Sequence, residues 1–207
     1  MLEKIFNGTY LSRLDNIVQW LERDRHNQES VSQHSYKVTI FARVLLEEIF
    51  GENNSEEVLK FKLDVVTFAM LHDWDEALIL RDLSHDMKYN KFNGDEIREE
   101  VNKLSEHIAN RDFNDGSDTG KMLVKNIVEP DKDVKIFVKL CDWLALQFYI
   151  YREIQLGNRM FYETAAYCDD NIEKSLEACS MMLVNRFHFP INVSALSKVR
   201  QMFEHNA

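Results

Sequence analysis

Apolar residues recur along this chain at intervals of three and four, the spacing that lines one face of an α-helix. The first such run predicts a helix from residue 10 to about 23, with Leu11, Leu14, Ile17, Val18 and Leu21 on one side. Ser30-Val31-Ser32-Gln33 has capping-box form, with Ser30 placed to cap and Gln33 three residues on. A second helix is expected from there to about Phe50, with Val38, Phe41, Ala42, Leu45 and Ile49 facing inward. Residues 51 to 54 (GENN) read as a loop, and Ser55-Glu56-Glu57 opens a third helix, its acids near the positive end of the dipole. That helix carries Phe61, Val65, Phe68 and Ala69 and ends at His72.

The segment from 73 to 93 is charged and less regular, and a helix follows near 95 to 109. Residues 110 to 119 (NRDFNDGSDT) have the composition of a flexible loop. Pro130-Asp131 punctuates, and a long helix is expected from about Lys132 to Leu156, closed by Gly157-Asn158. Helices at about 162 to 186 and 194 to 204, parted near Pro190, complete the pattern. No internal repeat interrupts it. The expected architecture is an all-α bundle.

Composition agrees. The chain has 207 residues, 45% of them hydrophobic, which suits one globular domain with a core of its own. Only 6 glycines and 2 prolines are available for tight turns, too few for an all-β fold. A formal net charge of −10 speaks against general affinity for polymeric nucleic acid. The most apolar stretch, 134 to 150, is broken by Lys139 and Asp142, so no membrane span is expected. Three cysteines, Cys141, Cys168 and Cys179, form no disulfide framework, and the N-terminus has no signal-peptide pattern. A cytoplasmic protein with reduced thiols is the expectation.

Within this frame a few residues carry chemistry. His72-Asp73 closes the apolar run VVTFAMLHD, so a buried helix end presents one nitrogen and one oxygen ligand. Mixed donors of this kind suit divalent ions such as Zn, Mn, Co or Fe. A hydrogen-bonded structural histidine is the bland alternative. His34 lies in the first turn of the second helix, and Asp142 lies among Leu140, Cys141, Trp143 and Leu144. A carboxylate in such company is costly to bury unless it pairs with a cation. Taken alone, Asp142 reads first as a salt-bridge partner of a lysine or arginine, or as an exposed acid on the polar side.

The order histidine, then His-Asp, then a distant aspartate resembles the HD-domain superfamily of metal-dependent phosphohydrolases. Further stretches narrow the resemblance to the YfbR-like 5′-deoxynucleotidases. Ser12-Arg13-Leu14 is followed by Trp20 at the family's spacing. Glu29-Ser30-Val31-Ser32-Gln33-His34-Ser35 is similar to the family's E-N-V-S-E-H-S. His72-Asp73-Trp74-Asp75-Glu76 continues through Asp82-Leu83 to Lys88-Tyr89, as H-D-x-x-E…D-L…K-Y does. The similarity covers roughly residues 10 to 160, with C-terminal helices at about 161 to 207, and implies a single HD domain over 1–207.

The resemblance implies roles residue by residue. His34, His72, Asp73 and Asp142 match the metal ligands, and Glu76 and Asp82 match catalytic acids. A bound cation lowers the pKa of water and polarises a phosphoryl oxygen. Cobalt, manganese, zinc, iron and magnesium are all open as its identity. Trp20 matches a residue that lies against the sugar and rejects the 2′-hydroxyl; ordinary core packing is its other reading. Two departures stand out. Gln19 occupies the place of an arginine, and a neutral amide cannot make a guanidinium's charge-assisted contact to phosphate. The Glu76-to-Asp82 segment is one residue longer than the family's, with Arg81 in place of glycine. Gln19, Arg81 and Lys88 are therefore the expected substrate-side positions.

The function implied is hydrolysis of deoxyribonucleoside 5′-monophosphates, in a homodimer. An HD-domain deoxynucleoside triphosphohydrolase is the alternative. A non-catalytic helical binding protein is a third reading, opposed by the retention of all four candidate ligands and Glu76. His26, His85, His107, His188 and His205 read as surface or loop residues, and Phe137, Phe148, Tyr149, Tyr151 and Phe161 as core or interface packing.

Overall fold

The computed structural model describes residues 11–19, 24–76, 94–196 and 198–199. These are helical, with no β-strand among them and one isolated antiparallel bridge, Val18 to Ser30. The chain divides into two compact units interleaved in sequence, Met1–Ser35 with Met70–Pro130, and Tyr36–Ala69 with Asp131–Ala207.

In the first unit, helix α1 covers only Leu11–Leu14. The continuous helix expected to residue 23 stops there. The Val31 N–H donates to the Ile17 carbonyl and the Gln19 N–H to the Glu29 carbonyl, both at 2.9 Å. Leu14 and Ile17 bury against Val31. A three-residue apolar spacing suits a helical face, but β-branched Ile17 and Val18 also favour extended backbone, and pairing with residues 29–31 decides between them.

Helix α2, Val31–Phe50, begins where the capping box placed it. The Ser30 N–H donates to Gln33 Oε1 at 3.0 Å, and the Gln33 N–H donates back to Ser30 Oγ at 3.3 Å. Its predicted face is buried at Val38, Ala42, Leu45 and Ile49. Helix α3, Glu56–Leu71, is capped by Ser55, whose Oγ accepts from the Val58 N–H.

Helix α4, Gly94–Phe113, runs four residues beyond the expected end at 109, and α5, Asp118–Val128, follows it. The loop read over 110 to 119 shrinks to 114–117. Its Asn, Asp and Ser residues act as caps: Ser117 Oγ accepts from the Gly120 N–H at 3.0 Å. Gly120 lies inside α5, where a Cβ would collide with the Phe113 carbonyl oxygen. Trp74, Ala109 and Phe113 form the core here, with Leu123, Val124, Ile127 and Val128 against them.

The second unit holds most of α2 and α3 together with α6, Lys132–Gln155, and α7, Tyr162–Arg186, joined by a 3-10 turn at Arg159–Phe161. Asp131 caps α6 by accepting from the Asp133 N–H at 2.8 Å, and Gly157 ends it at φ 92°. Residues 194–196 and 198–199 are helical, as expected beyond Pro190. Phe61 is fully buried among the rings of Phe50, Phe137 and Phe187, at centroid distances of 6.1, 5.8 and 5.4 Å. The Arg186 guanidinium lies 4.7 Å from the Phe61 ring centre and donates to Asp131 and Asp133 at 3.1 and 2.9 Å. Phe137, Tyr149 and Phe161 are core, whereas Phe148 is exposed. All three cysteines are free and buried. No helix among the described residues is long and apolar enough to cross a membrane.

Candidate metal centre

Two chain segments of the first unit bring their polar side chains together out of water. The capping box starts α2, and its first turn carries His34, which is 3% exposed. The apolar length of α3 ends at Leu71, and the following turn delivers His72 and Asp73. The two imidazole centroids are 5.6 Å apart with their planes at 53°. Asp73 Oδ2 lies 3.1 Å from His72 Nε2. The Glu76 N–H donates to the Asp73 carbonyl at 3.1 Å, so a tight turn places Glu76. Glu76 is 1% exposed, so this acid is buried and not a solvated loop residue.

Sequence reasoning passed over Glu29 as a functional residue, although it begins the motif that contains His34. Glu29 is 2% exposed and its Oε1 faces His34 Nδ1 at 3.7 Å. A carboxylate on one ring nitrogen orients the imidazole and raises the basicity of the other. Gln19 is half-buried, and its backbone bond to Glu29 ties it to the same neighbourhood. Trp20, Arg81, Asp82, Lys88 and His85 lie outside the described residues. His26, His107 and His188 are exposed, as expected of surface residues.

Asp142 lies in the middle of α6, and its Oδ2 is 2.7 Å from Lys139 Nζ one turn earlier. The ion-pair alternative raised by the sequence is thus present. It does not exhaust the carboxylate, which has two oxygens and about four acceptor directions. Within the first unit, the imidazoles of His34 and His72 with the Asp73 carboxylate are a donor set that fits a divalent cation.

A family model described as 5′-deoxynucleotidase YfbR-like matches residues 7–191. The chain belongs to the YfbR-like family. No curated protein matches it in sequence. An HD-domain phosphohydrolase from Listeria innocua superposes with a TM-score of 0.62 at 20% identity, over 99% of this chain and 97% of that one. The cyanophage S-2L HD phosphohydrolase, solved with dA and one catalytic Zn²⁺ ion, gives 0.60 at 12% identity, over 96% and 94%. At these identities the likeness establishes the fold, which is that of the HD phosphohydrolases. This YfbR-like protein is therefore a metal-dependent phosphohydrolase, and its cofactor is a divalent cation.

Proposed function

We propose that this YfbR-like protein is a 5′-deoxynucleotidase that hydrolyses deoxyribonucleoside 5′-monophosphates to deoxynucleoside and inorganic phosphate. The observation that carries the reading is the His34, His72 and Asp73 grouping within the first unit, in a chain whose family model spans residues 7–191. Asp142 of α6, the final aspartate of the family pattern, completes the proposed ligand set. The deoxynucleoside and zinc in the cyanophage relative are consistent with that substrate class and with zinc as one candidate ion.

A divalent cation bound there supplies Lewis acidity toward a phosphoryl oxygen and lowers the pKa of water. The chain's own residues do the rest. Glu29 orients His34 from the Nδ1 side. Glu76, buried one turn beyond His72, is the acid–base group that moves a proton during attack on phosphorus. Asp82 is assigned to the leaving group, and Trp20 to the sugar face, where an aromatic ring disfavours a 2′-hydroxyl. Gln19, Arg81 and Lys88 are assigned to the phosphate side. The reading treats 1–207 as one HD domain acting as a cytoplasmic homodimer; the free thiols suit that compartment, and the exposed Ile40, Val44, Leu59 and Leu63 suit contact between copies.

The test is product analysis with purified protein and Co²⁺, Mn²⁺ or Mg²⁺ on dAMP, AMP, dGMP and dATP, with His72→Ala and Asp73→Ala beside the wild type. Metal-dependent phosphate release from the deoxy-monophosphates, at background in both variants, is expected. Tripolyphosphate from dATP would move the assignment to a triphosphohydrolase. Inertness toward every substrate, without bound metal, would overturn the enzymatic reading.

A further inference from the structure

Lys139 has no part in the proposed chemistry, yet its surroundings are unlike those of an ordinary surface lysine. It precedes Asp142 by three residues on α6, so the two side chains share a helical face. Its Nζ is 2.7 Å from Asp142 Oδ2. The same ammonium lies 4.6 Å from the centre of the Trp143 ring. Trp143 is itself held: its ring meets Tyr167 of α7 edge-on at 5.9 Å, and its carbonyl accepts from Cys168 Sγ at 3.5 Å. A free lysine samples many rotamers, and exposed ion pairs are correspondingly weak. Here both an indole ring and a carboxylate restrict it.

We propose that Lys139 is a positioning residue for the metal centre, clamping one oxygen of Asp142 so that the other is presented to the cation. An ionised carboxylate has two oxygens and about four acceptor directions, so lysine and metal can be served together. The clamp fixes the carboxylate rotamer before the ion arrives. Carboxylate ligands that are themselves hydrogen-bonded bind metal better than free ones.

Simple competition makes the opposite prediction. If the ammonium only occupied Asp142 in place of the ion, removing it would relieve repulsion and tighten metal binding. The sign of the effect therefore decides. The inference rests on Asp142 being a ligand, so the experiment separates the two claims. Mn²⁺ is titrated calorimetrically into the full-length apoprotein for wild type, Asp142→Asn, Lys139→Met and Lys139→Arg, with thermal melts to verify folding. Lys139→Gln replaces the methionine variant if that one fails to fold.

The expected result is one ion per wild-type chain, binding largely lost in Asp142→Asn, and binding weakened about 10–100-fold in Lys139→Met at unchanged stoichiometry. Lys139→Arg, which can still reach the carboxylate and stack on the indole, should recover most of the affinity. Unchanged or tighter binding in Lys139→Met overturns the clamp and leaves the metal site standing. Absence of binding by the wild type, or full binding by Asp142→Asn, overturns the site itself and the clamp with it.

Discussion

Around Phe61 the protein lays the Arg186 guanidinium on a ring and answers it with acids, whereas around His34 it buries acids beside two imidazoles. In the first region Arg186 stacks on Phe61 and is answered by Asp131 and Asp133. In the second, Glu29 and Asp73 are buried against His34 and His72, and Glu76 is buried in the turn that follows. The first arrangement closes with the chain's own charges and fits a stabilising role. The second concentrates anionic and neutral donors, which is what a cation needs and what a fold alone does not require. Burial of charge thus has opposite meanings in the two places, and only partner chemistry distinguishes them.

Breaking the comparison starts at Glu76. Glu76→Gln keeps shape and removes the proton carrier, so kcat should fall by about 10²–10⁴-fold while bound metal stays stoichiometric. Steady-state kinetics with metal analysis checks this, and a variant that instead loses stability with activity intact would make Glu76 structural. Next in size is Phe61→Ala, which empties a site bounded by three other rings. It should lower unfolding free energy by about 3–5 kcal/mol in urea titration, with near-normal turnover in the fraction that remains folded.

The smallest effect concerns Arg186. Its removal should cost about 1–3 kcal/mol through the lost charge-assisted bonds. It also changes the acid limb of stability. Burial opposes ionisation of Asp131, but the Asp133 amide and the Arg186 guanidinium outweigh it and hold the carboxyl below its ordinary value. A depressed folded pKa contributes stability above the unfolded value of about 3.9, and that stability is lost as pH falls through the folded value. Arg186→Ala should therefore flatten the pH dependence below about pH 4, measured by thermal melts from pH 6 to 2.5.

Legibility of these regions in the sequence followed the range of the interactions. The start of α2, and with it His34, could be read because a capping box is complete within four residues. Helix α6 was legible from Asp131 at one end and Gly157 at the other. The fate of Ile17 and Val18 was not, because their partners lie a dozen residues away and the local spacing served helix and extended chain alike. Helix α5 was hidden by its own cap, since Asp, Gly and Ser mark a loop and a helix start with the same letters. At the site, the residue types in H…HD…D order were visible. Glu29 stood inside a recognised motif, but only coordinates show its carboxylate facing an imidazole. Lys139 had a signal that went unused: a lysine three residues before an aspartate on a helix is a ready ion pair.

The buried cysteines give the protein a built-in clock. Burial pushes the Cys141 thiol well above its ordinary value, raises Cys168, and takes Cys179 up to about 12. An alkylating reagent needs both access and a thiolate, and the native packing of α6 and α7 withholds each. Labelling must wait for those helices to open. Its rate, followed by mass spectrometry against reagent concentration, thus counts opening events in the helix that carries Asp142, under native conditions and without denaturant.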